Sequence, residues 1–184
     1  MEEEQRINIT RIIGEAIKAV KNDDVKSLKN LSNETIHDAS TVQDQHSIAV
    51  AVLIYTLSKI YERESHYEKF KGWRIFCLEC QKVLETAKQK LESNDVEGFD
   101  LAIKKYMKHL KNVEKKLRNY IQDVLRKAKI NKASRLYEHG VSLGRTADML
   151  DITRFELMDY VGKTYIADVK ESVTLNAEKR LEMA

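Results

Sequence analysis

The chain of 184 residues contains no proline, only six glycines, two cysteines and one tryptophan. Average usage of about 5 % would place several prolines in a chain of this size. Their absence removes the strongest helix breaker, and with so few glycines long uninterrupted helices become the economical reading. Two cysteines exclude a disulfide-stapled scaffold. No apolar run reaches the roughly 20 residues that a membrane-spanning helix needs. A dominant charge is missing too: 32 Lys and Arg face 29 Asp and Glu, a formal net of +3. The whole chain is therefore not a polycation, and affinity for nucleic acid has to come from local clustering. The N-terminal MEEEQRINIT is acidic and lacks the basic-then-apolar layout of a signal peptide. These features predict a cytoplasmic protein with no membrane segment, in which the sequons Asn8-Ile9-Thr10 and Asn33-Glu34-Thr35 carry no meaning.

What is present is organised around HSIAVAVLIYTLSKIY, His46 to Tyr61, which is apolar on nearly every side from Ile48 to Leu57. A helix that is hydrophobic all round must be buried all round, so it is read as the central helix of a bundle. The 33 % charged content fits surrounding helices that each need a solvated face.

The spacing of Ile9, Ile12, Ile13, Ala16, Ile17 and Val20 predicts a first helix from Glu2 to about Lys21. Asn22-Asp23-Asp24 stops it and caps a short helix buried through Val25, Leu28 and Leu31. Asn94-Asp95, followed by Val96 and Phe99, uses the same device, which is too short to establish a repeat. Ser32 to Gln45 reads as a cap-rich connection, with Ser40 or Asp44 as N-cap of the central helix. The run ERESHYEKFKG marks a turn or an exposed portion, and a helix follows through Trp73, Phe76, Val83, Leu84 and Leu91. A fourth long helix is expected from near Asp95 to Lys129 or beyond, with Ile103, Met107, Leu110, Leu117, Ile121 and Val124 on its core face.

The predicted fold class is thus all-α: an antiparallel helical bundle over residues 1–139 and a helix-turn-helix over residues 140–164. Residues 165–184 form a C-terminal helix or flexible tail, with a weak helical pattern through Ile166, Val169, Val173 and Leu181.

The stretch GVSLGRTADMLDITRFELMDYVGKT, Gly140 to Thr164, has the spacing of two short helices crossing over a three-residue turn. The first helix would run from Leu143 to Leu150, the turn from Asp151 to Thr153 and the second helix from Arg154 to Val161. Ala147 is small where the two meet. Leu150, Ile152, Leu157 and Tyr160 or Val161 would fill the wedge, and Thr153 can cap the second helix. Ser142, Leu143, Gly144, Arg145, Ala147, Ile152, Thr153, Arg154, Phe155 and Glu156 resemble the small prokaryotic helix-turn-helix family often described as antitoxin-like. Asp151 stands where such motifs often carry glycine. The resemblance covers about 25 residues and does not extend to the bundle. It implies a DNA-binding regulator or a partner-binding unit.

In a DNA-reading version, Thr153, Arg154 and Phe155 open the helix that faces the major groove, with Arg154 the natural donor to guanine. Arg145 and Lys163 would bind phosphates. From Val141 to Thr164, however, three bases stand against four acids, so positive charge has to come from elsewhere. Between Lys104 and Lys132 eleven basic residues face only Glu114 and Asp123. Lys104, Lys108, Lys111, Lys115 and Arg118 repeat at four and three residues as a stripe on the expected long helix. This stripe either tracks phosphates beside the C-terminal unit or is a solvated helix face balanced by acids such as those at the N-terminus.

Three further patterns are weaker. Cys77-x-x-Cys80 lies inside a predicted helix with no second pair to complete a zinc site, and reads as two packed thiols. His37, Asp38, Asp44 and His46 precede the buried helix and read either as caps in a polar network or as a metal or catalytic site. Gly140-Val141-Ser142-Leu143-Gly144 matches the nucleophile-elbow pattern but follows a helix, and no histidine comes after it. The expected function is a non-enzymatic regulator, without cofactor, that binds double-stranded DNA as a homodimer. The alternative is a helical module that grips a protein partner, and an enzyme at the histidine and aspartate group comes third.

Overall fold

A computed structural model of the chain describes residues 1–109 and 114–164, with residues 105–109 and 164 described by backbone alone. Lys111, Leu110 and the tail from 165 onward lie outside the described residues. The described residues form nine helices and no strand: α1 Glu3–Lys21, α2 Val25–Val42, α3 Gln45–Tyr61, α4 Glu64–Tyr67, α5 Trp73–Glu92, α6 Val96–His109, α7 Lys115–Glu138, α8 Leu143–Leu150 and α9 Arg154–Thr164. None of them is long and apolar enough to cross a membrane.

The apolar run of α3 has the burial its composition demands. Val50, Ala51, Ile54, Leu57 and Ile60 are fully buried, and α1, α2, α4, α7 and α8 pack against the helix. Its start is set by Asp44, whose carboxylate accepts the Ser47 amide at 2.8 Å, the Ser47 hydroxyl at 2.7 Å and the His46 amide at 3.3 Å. Burial alone would raise the Asp44 carboxyl. The hydrogen bonds from Ser47 and His46 outweigh it and hold the group below the usual aspartate value.

Two expectations are corrected. The cap-rich connection from Ser32 onward is helical, because α2 runs on to Val42. Its hydroxyls are satisfied without leaving the helix: Thr35 donates to the Leu31 carbonyl, Ser40 to His37 and Thr41 to Asp38, while Ser32 reaches the Ala51 carbonyl of α3 at 2.7 Å. The long helix from Asp95 to Lys129 is two helices, with α6 ending at His109 and α7 beginning at Lys115. Glu114 stands before α7 with φ −50° and ψ 138°, and its carboxylate accepts the Lys71 amide at 3.1 Å. A contact across the fold therefore fixes the helix start, where the local pattern carries no breaker.

Two apolar clusters share α3. The first joins α1 and α5 with Leu28, Leu57, Tyr67, Phe99, Leu117 and Ile121. The second joins Ile36 and Ala39 of α2, Ile48, Ala51 and Val52 of α3, and Ala128, Ala133 and Leu136 of α7 with Val141, Leu150, Leu157 and Val161. The C-terminal pair α8 and α9 thus closes a core that the bundle contributes to.

The two halves of the bundle follow one template. Ile9 and Cys80, Ile12 and Val83, Ile13 and Leu84, Ala16 and Ala87, Val20 and Leu91, Leu28 and Phe99, and Val50 and Ile121 are all buried and all stand at one sequence separation. The turns obey it as well. Asp23 and Asn94 are both left-handed, at φ 53° and 58°. Asp24 and Asp95 each send their amide back to a helix carbonyl at 2.8 Å and cap the next helix through Ser27 and Gly98. Corresponding helices pack on each other, α1 on α5 and α3 on α7.

Candidate functional site

The C-terminal pair is built from strong local signals. Ser142 caps α8 by accepting the Arg145 amide at 3.3 Å. This use of the hydroxyl, after a helix rather than a strand, leaves the Gly-x-Ser-x-Gly match without a nucleophile's setting. Helix α8 ends at Asp151, left-handed with φ 51°, and the Ile152 amide returns to the Ala147 carbonyl at 3.1 Å. Aspartate is one of the few residues that tolerate this conformation, which is how it stands in for glycine. Helix α9 opens on a capping box: Thr153 Oγ1 accepts the Glu156 amide at 3.1 Å, and Glu156 Oε2 accepts the Thr153 amide at 2.9 Å. Ala147, Leu150, Leu157 and Val161 are buried between the helices and the bundle, while Tyr160 stays half-buried against Asn131.

Two of the four acids of this pair meet α7. Glu156 forms an ion pair with Arg126, whose Nε donates to Oε1 at 2.8 Å, and Asp151 lies 3.4 Å from Lys129 Nζ. Hydrogen bonds from the Thr153 amide and hydroxyl, then from Arg126, hold the Glu156 carboxyl down to about 2. Asp159 is paired with Lys163 at 2.7 Å. The excess acid of the segment is therefore met largely by bases of α7 and α9.

Of the sequence-selected residues, Thr153, Arg154 and Phe155 come together on the exposed first turn of α9. Arg154 folds back so that a Cβ placed on Gly144 would lie 3.2 Å from its guanidinium. Phe155 is 78 % exposed and Met158 59 %. Arg145 is held against the bundle, its Nε donating to Gln43 Oε1 at 3.0 Å.

The basic stripe is not one helix face. Lys104 is exposed on α6, Lys108 belongs to α6 and Lys111 lies outside the described residues, whereas Lys115 and Arg118 sit on α7. The break before Lys115 separates the two groups. Helix α7 itself carries eight bases against Asp123 and Glu138, and Lys115, Lys116, Arg126 and Lys127 are exposed on it.

The histidine and aspartate group is dispersed into separate contacts. Asp38 accepts from Asn8 at 3.1 Å, and Asp44 caps α3. His46 lies between Asp44 and Asp100, at 3.2 and 3.4 Å, and the His37 ring meets His139 with centroids 5.0 Å apart. Among the described residues no three His, Cys, Asp or Glu side chains are placed to hold a metal ion. Cys80 is buried, and burial pushes the Cys77 thiol up to about 11.

One buried charge escaped the sequence reading. Lys132 has no exposed surface; its Nζ donates to Asn33 Oδ1 at 2.9 Å and lies 4.4 Å from the centre of the Tyr55 ring. Burial, and secondarily Arg135, brings its pKa down to about 8. The signal was present: Lys132 follows Ala128 and precedes Leu136 by four residues on the apolar face of α7.

The chain matches no protein-family model, no curated protein and no solved structure.

Proposed function

We propose that the protein is a DNA-binding regulator in which α8 and α9 act as a helix-turn-helix and the first turn of α9 enters the major groove. The observation that supports this reading best is the division of charge on α9. Glu156 and Asp151 are drawn toward α7 by Arg126 and Lys129, and the outward side keeps Thr153, Arg154 and Phe155. That offsets part of the repulsion which the segment's four acids would otherwise offer a duplex. Arg154 is the donor suited to guanine, and the Phe155 ring suits the methyl group of thymine. A single unit of this size reads few base pairs, so a homodimer on a two-fold site belongs to the same proposal.

The test is anisotropy of labelled duplexes from the gene's own upstream region against random duplexes, across a salt series. The protein should prefer the upstream duplex, and Arg154→Ala should abolish that preference at a cost of roughly 1–3 kcal/mol. An unchanged preference in Arg154→Ala would remove α9 from the readout.

A second reading rests on Phe155 and Met158, both exposed and three residues apart on one helix face. Such a pair suits the groove of a protein partner. It gains if Phe155→Ala abolishes a stoichiometric protein complex while the wild type ignores duplex DNA at low salt.

A further inference from the structure

The outer face of α7 continues from the candidate reading helix toward a second concentration of charge. Beside α9, Arg126 and Lys127 keep side-chain exposures of 68 % and 73 % although each is ion-paired, Arg126 with Glu156 and Lys127 with Asp123 at 2.7 Å. At the other end, the Glu114 contact with Lys71 brings the loop between α4 and α5 against the start of α7. This gathers Lys69, Lys71, Lys115 and Lys116, all exposed. The ammonium groups of Lys69 and Lys116 flank one Phe70 ring, at 5.7 and 5.6 Å from its centre. None of these four lysines is paired with a carboxylate among the described residues, and the Glu114 carboxylate is engaged by a backbone amide. Four lysines gathered around the Glu114 carboxylate leave an excess of positive charge. Such an arrangement is relieved by a polyanion laid across it.

We infer that this face, from the lysine group at the start of α7 to Arg126 and Lys127 beside α9, is a phosphate-tracking surface for the duplex that α9 reads. The inference rests on the DNA-binding proposal above. The separation fits the partner: eleven residues of helix between Lys116 and Lys127 span about 17 Å at 1.5 Å per residue. That equals roughly five base pairs of duplex at 3.4 Å each. The surface therefore contacts backbone to one side of the groove occupied by α9. It supplies affinity that does not depend on sequence, while Arg154 supplies the preference.

The experiment measures the salt dependence of binding of the full chain to a random-sequence 30-bp duplex. It uses the wild type, Lys115→Gln/Lys116→Gln/Lys127→Gln, and the control Lys26→Gln/Lys82→Gln from exposed positions on α2 and α5. Each lost phosphate contact lowers the slope of log affinity against log salt by about 0.9. The triple variant should lose about two to three slope units and at least tenfold in affinity near 0.1 M salt. The control should match the wild type, and Trp73 fluorescence should report an intact fold in both. Equal slopes for the triple variant and the control would overturn the inference. Loss of slope together with an intact upstream preference that Arg154→Ala also leaves intact would keep the surface and reject α9 as the reader. A wild type with no duplex affinity at low salt would reject both.

Discussion

Lys132 shows how much one residue can set. Its four-carbon stem occupies an apolar position of α7, so the ammonium is stripped of water and has only a neutral amide and an aromatic face as partners. With a folded-state pKa of about 8 against the ordinary 10.5, the direction of the pH dependence follows. Below pH 8 both folded and unfolded chains hold the proton, and the folded state carries the whole desolvation penalty. Between pH 8 and 10.5 the unfolded chain keeps a proton that the folded chain releases, so this residue's contribution to stability rises with pH. Lys132→Met retains the stem and removes the charge. The stability of the wild type relative to Lys132→Met, from urea midpoints, should therefore rise by about 2 kcal/mol between pH 7.5 and 10. A difference that stays flat would mean that Lys132 titrates like a solvated lysine.

At the scale of elements, the legible parts were those fixed by neighbours in sequence. The central helix and its Asp44 cap, the helix through Trp73 and Leu91, and the turns at Asp24 and Asp95 all stand where periodicity and capping chemistry placed them. The misread parts depend on contacts across the fold. The Ser, Thr and Asn residues of α2 could have capped or continued a helix, and Ser32 reaching the Ala51 carbonyl helps decide for continuation. At the start of the second of the two helices Glu114 meets Lys71, 43 residues away. The template common to the two halves was hidden because it preserves burial and caps, not side-chain identity: cysteine answers isoleucine and phenylalanine answers leucine. In the candidate site, Thr153, Arg154 and Phe155 were found from sequence, whereas Arg126 and Lys129 enter only through the packing of α7 on α9. The cap at Asp44 is the element whose worth is easiest to isolate. Asp44→Ala should cost about 1–2 kcal/mol near pH 7, since it removes acceptors from two amides and a hydroxyl. The folded-state pKa lies below the ordinary 3.8, so the cap is fully effective above pH 4 and is lost as pH falls through the lower folded value. The gap between wild type and Asp44→Ala in denaturant midpoint should accordingly narrow as pH falls below 4. A gap independent of acid would place the stabilisation in packing instead of the charged cap.

For the whole molecule, the question is whether the C-terminal pair rides on the bundle or completes it. The second apolar cluster answers in residues: Leu157 of α9 is fully buried in a group with Ile36, Ala51, Ala128 and Leu136, which come from three bundle helices. Removing its side chain opens a cavity in that cluster, and the expected loss is about 2–5 kcal/mol. Helix α3 belongs to both clusters, so that loss has to be felt far from α9. Trp73, the single tryptophan, lies in the first cluster against Tyr61, Tyr67 and Phe76 and reports on the distant half. In Leu157→Ala, unfolding followed by Trp73 fluorescence and by far-ultraviolet circular dichroism should shift together to lower denaturant, as one cooperative unit requires. Were α8 and α9 an independent appendage, circular dichroism would show an early partial loss of helix while the Trp73 midpoint stayed at the wild-type value. The outcome bears on the DNA reading too. A reading helix that shares its core with the bundle has a fixed orientation relative to the lysines of α7, and only a fixed orientation lets one duplex meet both.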